Sequence, residues 1–340
     1  MGADLRFFER LGPLNADALA QALGAELIGE GSAQCHDIAA PDDAGRGDLC
    51  FLTALPPSSI HIAEGAIVIV DSNEALDLLM GPAALIVAKD ARAAFGRACA
   101  MLLKERGLSS EQNIDPTARI SGSAQIAPGA VIGPDCDIAD GVVIGAGAVI
   151  GPGVSLGEGT RVGHRAVVQC AVIGARCEIY AGAVIGEAGF GLAFDDQGLV
   201  SMPHLGRVIF GDDVTIGANS TVDRGMIFDT ILGQGSRLDN LCHIAHNVEL
   251  GEYVVMAAFA GLSGSVKVGA GAQFGGRVGV ADHLNIGDGA KLAADAAVMR
   301  DVPAGETWAG SPAQPIKRFM REAAWLRREA GRKRGDKGRS

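Results

Sequence analysis

VIGAGAVIGPGVSLGEGTRV (143–162) places an aliphatic residue at every sixth position, Ile144, Ile150, Leu156 and Val162, and follows each with glycine. The beat runs upstream to Ile114 and on to Val168, and a second run holds it from Leu232 through Leu238, Ile244, Leu250, Met256, Leu262, Val268, Phe274, Val280, Ile286 and Leu292 to Val298. Six residues make one short strand and a turn, so three such units close a triangular coil of about 18 residues that stacks on the next. The architecture expected is a parallel β-helix. Its neighbouring coils stand about 4.8 Å apart, which makes residues ~18 apart in sequence vertical neighbours.

Composition agrees with a narrow prism. Hydrophobic residues make up 48% of the chain but aromatic residues only 4%, as expected where each face takes one medium aliphatic side chain per coil. The 49 glycines suit corners that need positive φ or close backbone approach.

Three segments follow from where the beat starts and stops. Residues 1–108 read as a small α/β domain, with a helix over LNADALAQALGA (14–25) capped by Asn15, apolar strands at 66–70 and 83–88, and a helix running from a cap at Asp90 to Arg106. Residues 109–308 form the β-helix. Residues 309–340 form a basic helix and tail, with Ile316, Phe319, Met320, Ala323 and Leu326 on one helix face. Seven cysteines show no CxxC pair, which points to a reduced, cytoplasmic chain and to no metal site. No stretch approaches the 18 apolar residues of a membrane span, and the N-terminus lacks the apolar core of an export signal. The net charge is −11, which argues against nucleic acid as a partner, yet residues 317–340 hold ten Lys or Arg against three acids. That asymmetry points to an acidic partner, or else to a solvated tail.

The beat shortens by one residue between Val168 and Ile173 and is lost from Glu187 to Arg207 before Phe210, Ile216, Val222 and Phe228 restore it. A second skip separates Phe228 from Leu232. The lost stretch is too long for a corner and reads as an excursion from a rigid scaffold, a usual place for binding residues.

One coil is unusually polar. LDNLCHIAHNVELG (238–251) carries Asp239, Asn240, His243, His246 and Asn247 where most outward positions hold Gly, Ala, Asp or Thr. By the vertical rule His246 lies under Gly264, and Asp282 and His283 lie one coil further, so His246 and His283 share an edge about 10 Å apart. A histidine can take a proton near neutral pH, and a glycine above it can offer a backbone N–H to a developing oxyanion. That pair suits attack of an amine or hydroxyl on a thioester; a corner histidine acting as a polar cap is the alternative. A zinc site built from His243, His246 and His283, as in the γ-type carbonic anhydrase-like lyases, would need three convergent nitrogens. His243 and His246 flank the inward Ile244, so one of them is expected to turn away. His36, His61, His164 and His204 have no histidine company and default to structural roles.

DNLCHIAHNVELG (239–251), GRVIFGDDVTIGANSTVDRG (206–225) and GEAGFG (186–191) resemble the UDP-3-O-(3-hydroxyacyl)glucosamine N-acyltransferases of lipid A synthesis, the LpxD family, and the likeness runs over essentially the whole chain. It implies a left-handed β-helix assembled as a homotrimer with sites between adjacent prisms. It implies transfer of an (R)-3-hydroxyacyl chain from acyl carrier protein to the 2-amino group of a UDP-sugar, with no cofactor beyond the donor's phosphopantetheine. Carried over, His246 is the general base, Gly264 the backbone oxyanion donor and His283 a substrate contact, with Asp239 and Asn240 supporting the pocket. Small residues such as Ala257, Ala258, Ala260 and Gly261 would border the acyl groove. The family's uracil-gripping stretch resembles F-x-x-N-P-x-Y; here FLTALPP (51–57) keeps Phe51 but has Ala54 and Pro57. Arg327, Arg328, Arg332 and Lys333 would dock acyl carrier protein. The related UDP-N-acetylglucosamine O-acyltransferases begin almost directly with coils and leave residues 1–108 without a counterpart. A passive scaffolding solenoid gives no reason for the polar coil.

Overall fold

The computed structural model describes residues 2–53, 60–62, 64–71, 79–108, 112–196, 198–310 and 316–331. The repeats form a left-handed parallel β-helix whose three faces are parallel sheets of nine, ten and nine strands. The inward column Ile244, Leu262, Val280 and Val298 is buried throughout, and the outward column of the same face reads His243, Gly261, Gly279 and Ala297. Corners of the regular coils carry one left-handed residue each; at the edge of interest these are Asn247, Ser265 and His283, with φ of 60°, 61° and 58°.

The irregularities in the beat become irregularities in the prism. The shortened step gives a coil in which Leu156 stands beside Ile173. The lost stretch is a hairpin of strands Leu192–Asp195 and Gly198–Ser201 that leaves the prism and returns at Val208. Phe228 corrects the sequence reading: it is 55% exposed rather than inward. It belongs to a bulge after Arg224 that stretches this coil, so that Thr221 pairs with His243.

The N-terminal domain is a five-stranded sheet in the order Glu26–Gly29, Ala84–Val87, Ile67–Val70, Asp48–Leu52 and Asp37–Ile38, with only the first pair antiparallel. Its central strand IVIV is buried along its whole length, as parallel strands covered on both faces are. Two helices pack on it, α1 (Ala16–Leu23) capped by Asn15 and α2 (Ala91–Leu102) capped by Asp90. α2 stops at Leu102, short of the expected Arg106, because Leu103–Glu105 turns extended and pairs with Phe8–Arg10. The hairpin packs against α2, with Asp195 bonded to Arg97 at 2.7 Å, and Arg106 reaches Asp135 on the prism at 2.8 Å. A third helix, α3 (Ile316–Gly331), ends the described chain, leaving Arg332 and Lys333 outside the described residues.

Candidate active site

A cavity of about 870 Å³ opens on the face that carries His243, between the prism corner, α2 and the hairpin. His246, Gly264, Asp282 and His283 line it from the corner, Asp223 and His243 from the strands, and Arg92 and Phe190 from α2 and the hairpin. His246, His283 and Gly264 are thus brought together as the vertical rule expects. His243 and His246 both line the cavity, contrary to the expectation that one turns away: His243 is the outward residue of its strand, and His246, past the corner, folds its ring back over the same face. No group of three or more His, Cys, Asp or Glu side chains that could hold a metal ion occurs among the described residues.

The ring of His246 lies directly on Gly264, where a Cβ would come within 2.7 Å of its Cε1 and 2.8 Å of its Nε2. Asn247 fixes its proton. The Asn247 side chain donates through Nδ2 to the Phe228 carbonyl at 3.0 Å, and its Oδ1 accepts from the Met226 N–H at 3.0 Å. That oxygen also faces His246 Nδ1 at 3.0 Å, so Nδ1 donates to it and Nε2 is the nitrogen left to exchange a proton. The bulge containing Met226 and Phe228 therefore sets the tautomer of His246.

Two residues past the inward side chain, on the prism's other two edges, a polar side chain from the next coil caps some of the backbone N–H groups: His164 caps Ala146 at 2.9 Å, Asn240 caps Ala218 at 2.8 Å and Asp288 caps Ala270 at 2.9 Å. Gly264 holds that position on the third edge, where its N–H, like those of His246 and Asp282, has no such cap among the described residues, and the residue lines the cavity. His164 and Asn240 are thereby assigned structural bonds. Asp239 accepts from the Asn240 side chain at 2.7 Å, and neither residue lines the cavity of its own chain. Of the four small residues expected along the groove, Gly261 lines it. Phe51 stacks on Phe95 at 4.6 Å within the N-terminal domain, away from the cavity, and Ala54 and Pro57 lie outside the described residues.

Several residues escaped sequence reasoning. Thr221 Oγ1 meets His243 Nδ1 at 2.7 Å, and Asp223 stands 3.8 Å from His243 Nε2, its carboxyl pushed upward chiefly by burial against the opposing pull of His243 and His246. The stretched coil hid both, since counting back ~18 residues from the histidines misses them. His204 is not isolated as expected: the excursion carries it to 5.2 Å from the His246 ring, edge to face. Burial, with His246 and Arg224 nearby, lowers its imidazole to about 4.

The class of this hexapeptide-repeat prism, with a histidine ring lying on a corner glycine, is that of the acyltransferases, as its relatives show. A family model described as GMPPB C-terminal domain matches residues 109–229. The chain is 50% identical over 339 residues to UDP-3-O-acylglucosamine N-acyltransferase of Caulobacter sp. (strain K31), covering 98% of this chain and 99% of that one. It is 45% identical to the enzyme of that name from Maricaulis maris (strain MCS10), covering 96% and 97%. Among solved structures, LpxA from Acinetobacter baumannii is 26% identical, covering 63% of this chain and 78% of that one, with a TM-score of 0.47. The chain belongs to the UDP-3-O-acylglucosamine N-acyltransferase family.

Proposed function

We propose that His246 Nε2 is the general base in transfer of an (R)-3-hydroxyacyl group from acyl carrier protein to the 2-amino group of UDP-3-O-acylglucosamine. The single observation carrying this reading is the orientation that Asn247 imposes by engaging Nδ1, which leaves Nε2 as the proton-exchanging nitrogen, on Gly264 at the cavity. The amine nitrogen attacks the thioester carbonyl carbon while His246 removes its proton, and the carbonyl oxygen takes up negative charge facing Gly264 N–H. Collapse breaks the carbon–sulfur bond, and the departing phosphopantetheine thiolate recovers the proton from His246. The products are an amide and a free thiol.

The acceptor's sugar meets His283 and Asp282 at the corner, and its diphosphate has Arg92 within the same cavity. The acyl chain runs along the small outward column of Gly261 and Gly279. Leu241 and Phe259, stacked one coil apart on the neighbouring corner, are 46% and 60% exposed, which supports a homotrimer whose next prism covers them and closes the groove. In such an assembly Asp239 and Asn240 serve the neighbouring copy's site, and Phe51 serves the uracil. Arg327, Arg328, Arg332 and Lys333 on and after α3 give the acidic carrier its docking surface. Seven free cysteines fit a reducing, cytoplasmic setting, and no described helix is long and apolar enough to cross a membrane.

Purified protein with UDP-3-O-acylglucosamine and a panel of 3-hydroxyacyl carrier proteins tests this by mass spectrometry. The expected product is the acceptor plus one hydroxyacyl group on nitrogen. Acylation of UDP-N-acetylglucosamine oxygen instead would overturn it.

A further inference from the structure

His204 is a further imidazole beside His246, and nothing in the proposed reaction uses it. Its Nδ1 lies 3.1 Å from the Met202 carbonyl, so Nδ1 donates and Nε2 carries a lone pair. The side chain is 4% exposed, and Nε2 is the one buried side-chain nitrogen or oxygen among the described residues without a hydrogen-bond partner. A fold keeps such an acceptor where something else requires the group.

The surroundings are built for two rings. A Cβ on Gly189 would come within 2.9 Å of both His204 Nε2 and His246 Cβ, so one glycine makes room for both. A Cβ on Gly191 would meet His204 Cε1 at 3.0 Å. Buried Arg224 clamps the backbone behind, donating to the His204 carbonyl at 2.7 Å and the Gly186 carbonyl at 2.9 Å, with Glu105 of the N-terminal domain at 2.6 Å. His246 is thereby held between the excursion on one side and Gly264 on the other.

We propose that His204 is a positioning residue for His246, pressing its ring onto Gly264 and turning an unpartnered lone pair toward the charge His246 acquires with the substrate proton. This rests on His246 being the base. The charged and titratable groups around His246 are Asp223 and Arg224 from the preceding coil, His243 from its own, Asp282 and His283 from the coils beyond, Glu187 and His204 from the excursion, and Arg92 from α2 across the cavity. Burial keeps His204 neutral, which preserves the lone pair throughout the working pH range.

The test compares His204→Phe, which keeps an aromatic ring without the acceptor, with His204→Gln, which keeps an acceptor, and runs His246→Ala beside them. His204→Phe is expected to lower kcat about tenfold at unchanged acceptor KM and to move the acidic limb of kcat/KM to lower pH, with His204→Gln close to wild type. Nitrogen-15 spectra of wild type, assigned by the loss of one histidine in His204→Gln, should show a neutral, Nδ1-protonated His204 down to about pH 5. Unchanged kcat and pH profile in His204→Phe, or a His204 that gains its proton near pH 6.5, overturns the assignment even while His246→Ala is inactive. An active His246→Ala overturns the base itself, and with it this role.

Discussion

The His246 imidazole packs directly on Gly264, and that contact puts the proposed proton acceptor and the glycine's backbone at one corner of the prism. A methyl group at 264 would meet the far end of a side chain rather than backbone, so it displaces the ring at little cost to the fold. Gly264→Ala is therefore expected to lower kcat by about 10²-fold, a loss of the size seen on removing one oxyanion donor, with an unchanged thermal transition. Steady-state kinetics beside calorimetry check it; wild-type turnover would show that the ring's seat is unimportant.

Asn247 governs the tautomer through two backbone partners in the bulge. Asn247→Gly accepts the φ of 60° without strain and removes the carboxamide. Turnover should fall by about tenfold to a hundredfold with KM little changed, as when an orienting group is taken from a catalytic histidine. An equal rise in KM with kcat preserved would instead make Asn247 a binding residue.

The depressed His204 gives stability a pH dependence of known sign. In the folded chain its imidazole sits at about 4, below the ordinary value near 6.5 that the unfolded chain regains, so the unfolded state binds the proton first. The contribution is fully present above pH 6.5 and is lost as pH falls toward 4, on the order of 3 kcal/mol per chain. Buried Asp223, whose carboxyl is raised, acts in the opposite direction, so the comparison with His204→Gln is what isolates the histidine. Urea midpoints should fall in wild type as pH is lowered from 6.5 and flatten in His204→Gln; parallel curves would refute the buried neutral imidazole.

α3 presents Arg327 and Arg328 beside exposed Met320, Trp325 and Leu326. Changing Arg327, Arg328, Arg332 and Lys333 together to Glu should raise KM for acyl carrier protein several-fold and flatten its salt dependence, since charge steering is screened over about 8–10 Å. Affinity for the UDP-sugar should stay the same. Unchanged kinetics at low salt would make the tail a solvated appendage.

Much of this was legible in the sequence, because a solenoid turns sequence spacing into distance. The six-residue beat put Ile244, Leu262 and Val280 in one buried column and His246 under Gly264. Asn15 and Asp90 cap their helices as local chemistry predicts. The misses lie where spacing stops being local. Phe228 matched the beat but sits on a bulge, and the same bulge carries Asp223 and Thr221 out of vertical register with the histidines. His204 reaches His246 by way of an excursion whose hairpin packs on α2, a contact that no periodicity encodes. The end of α2 at Leu102 was likewise decided by pairing with Phe8–Arg10, which outweighs helix propensity.

The most direct measurement is single-turnover N-acylation of UDP-3-O-acylglucosamine by His246→Ala, with assembly verified by light scattering. The chemical step should slow by about 10² to 10⁴ fold, the range expected for loss of a positioned general base. A chemical step near the wild-type rate in an intact assembly would contradict the assignment of His246 as the base.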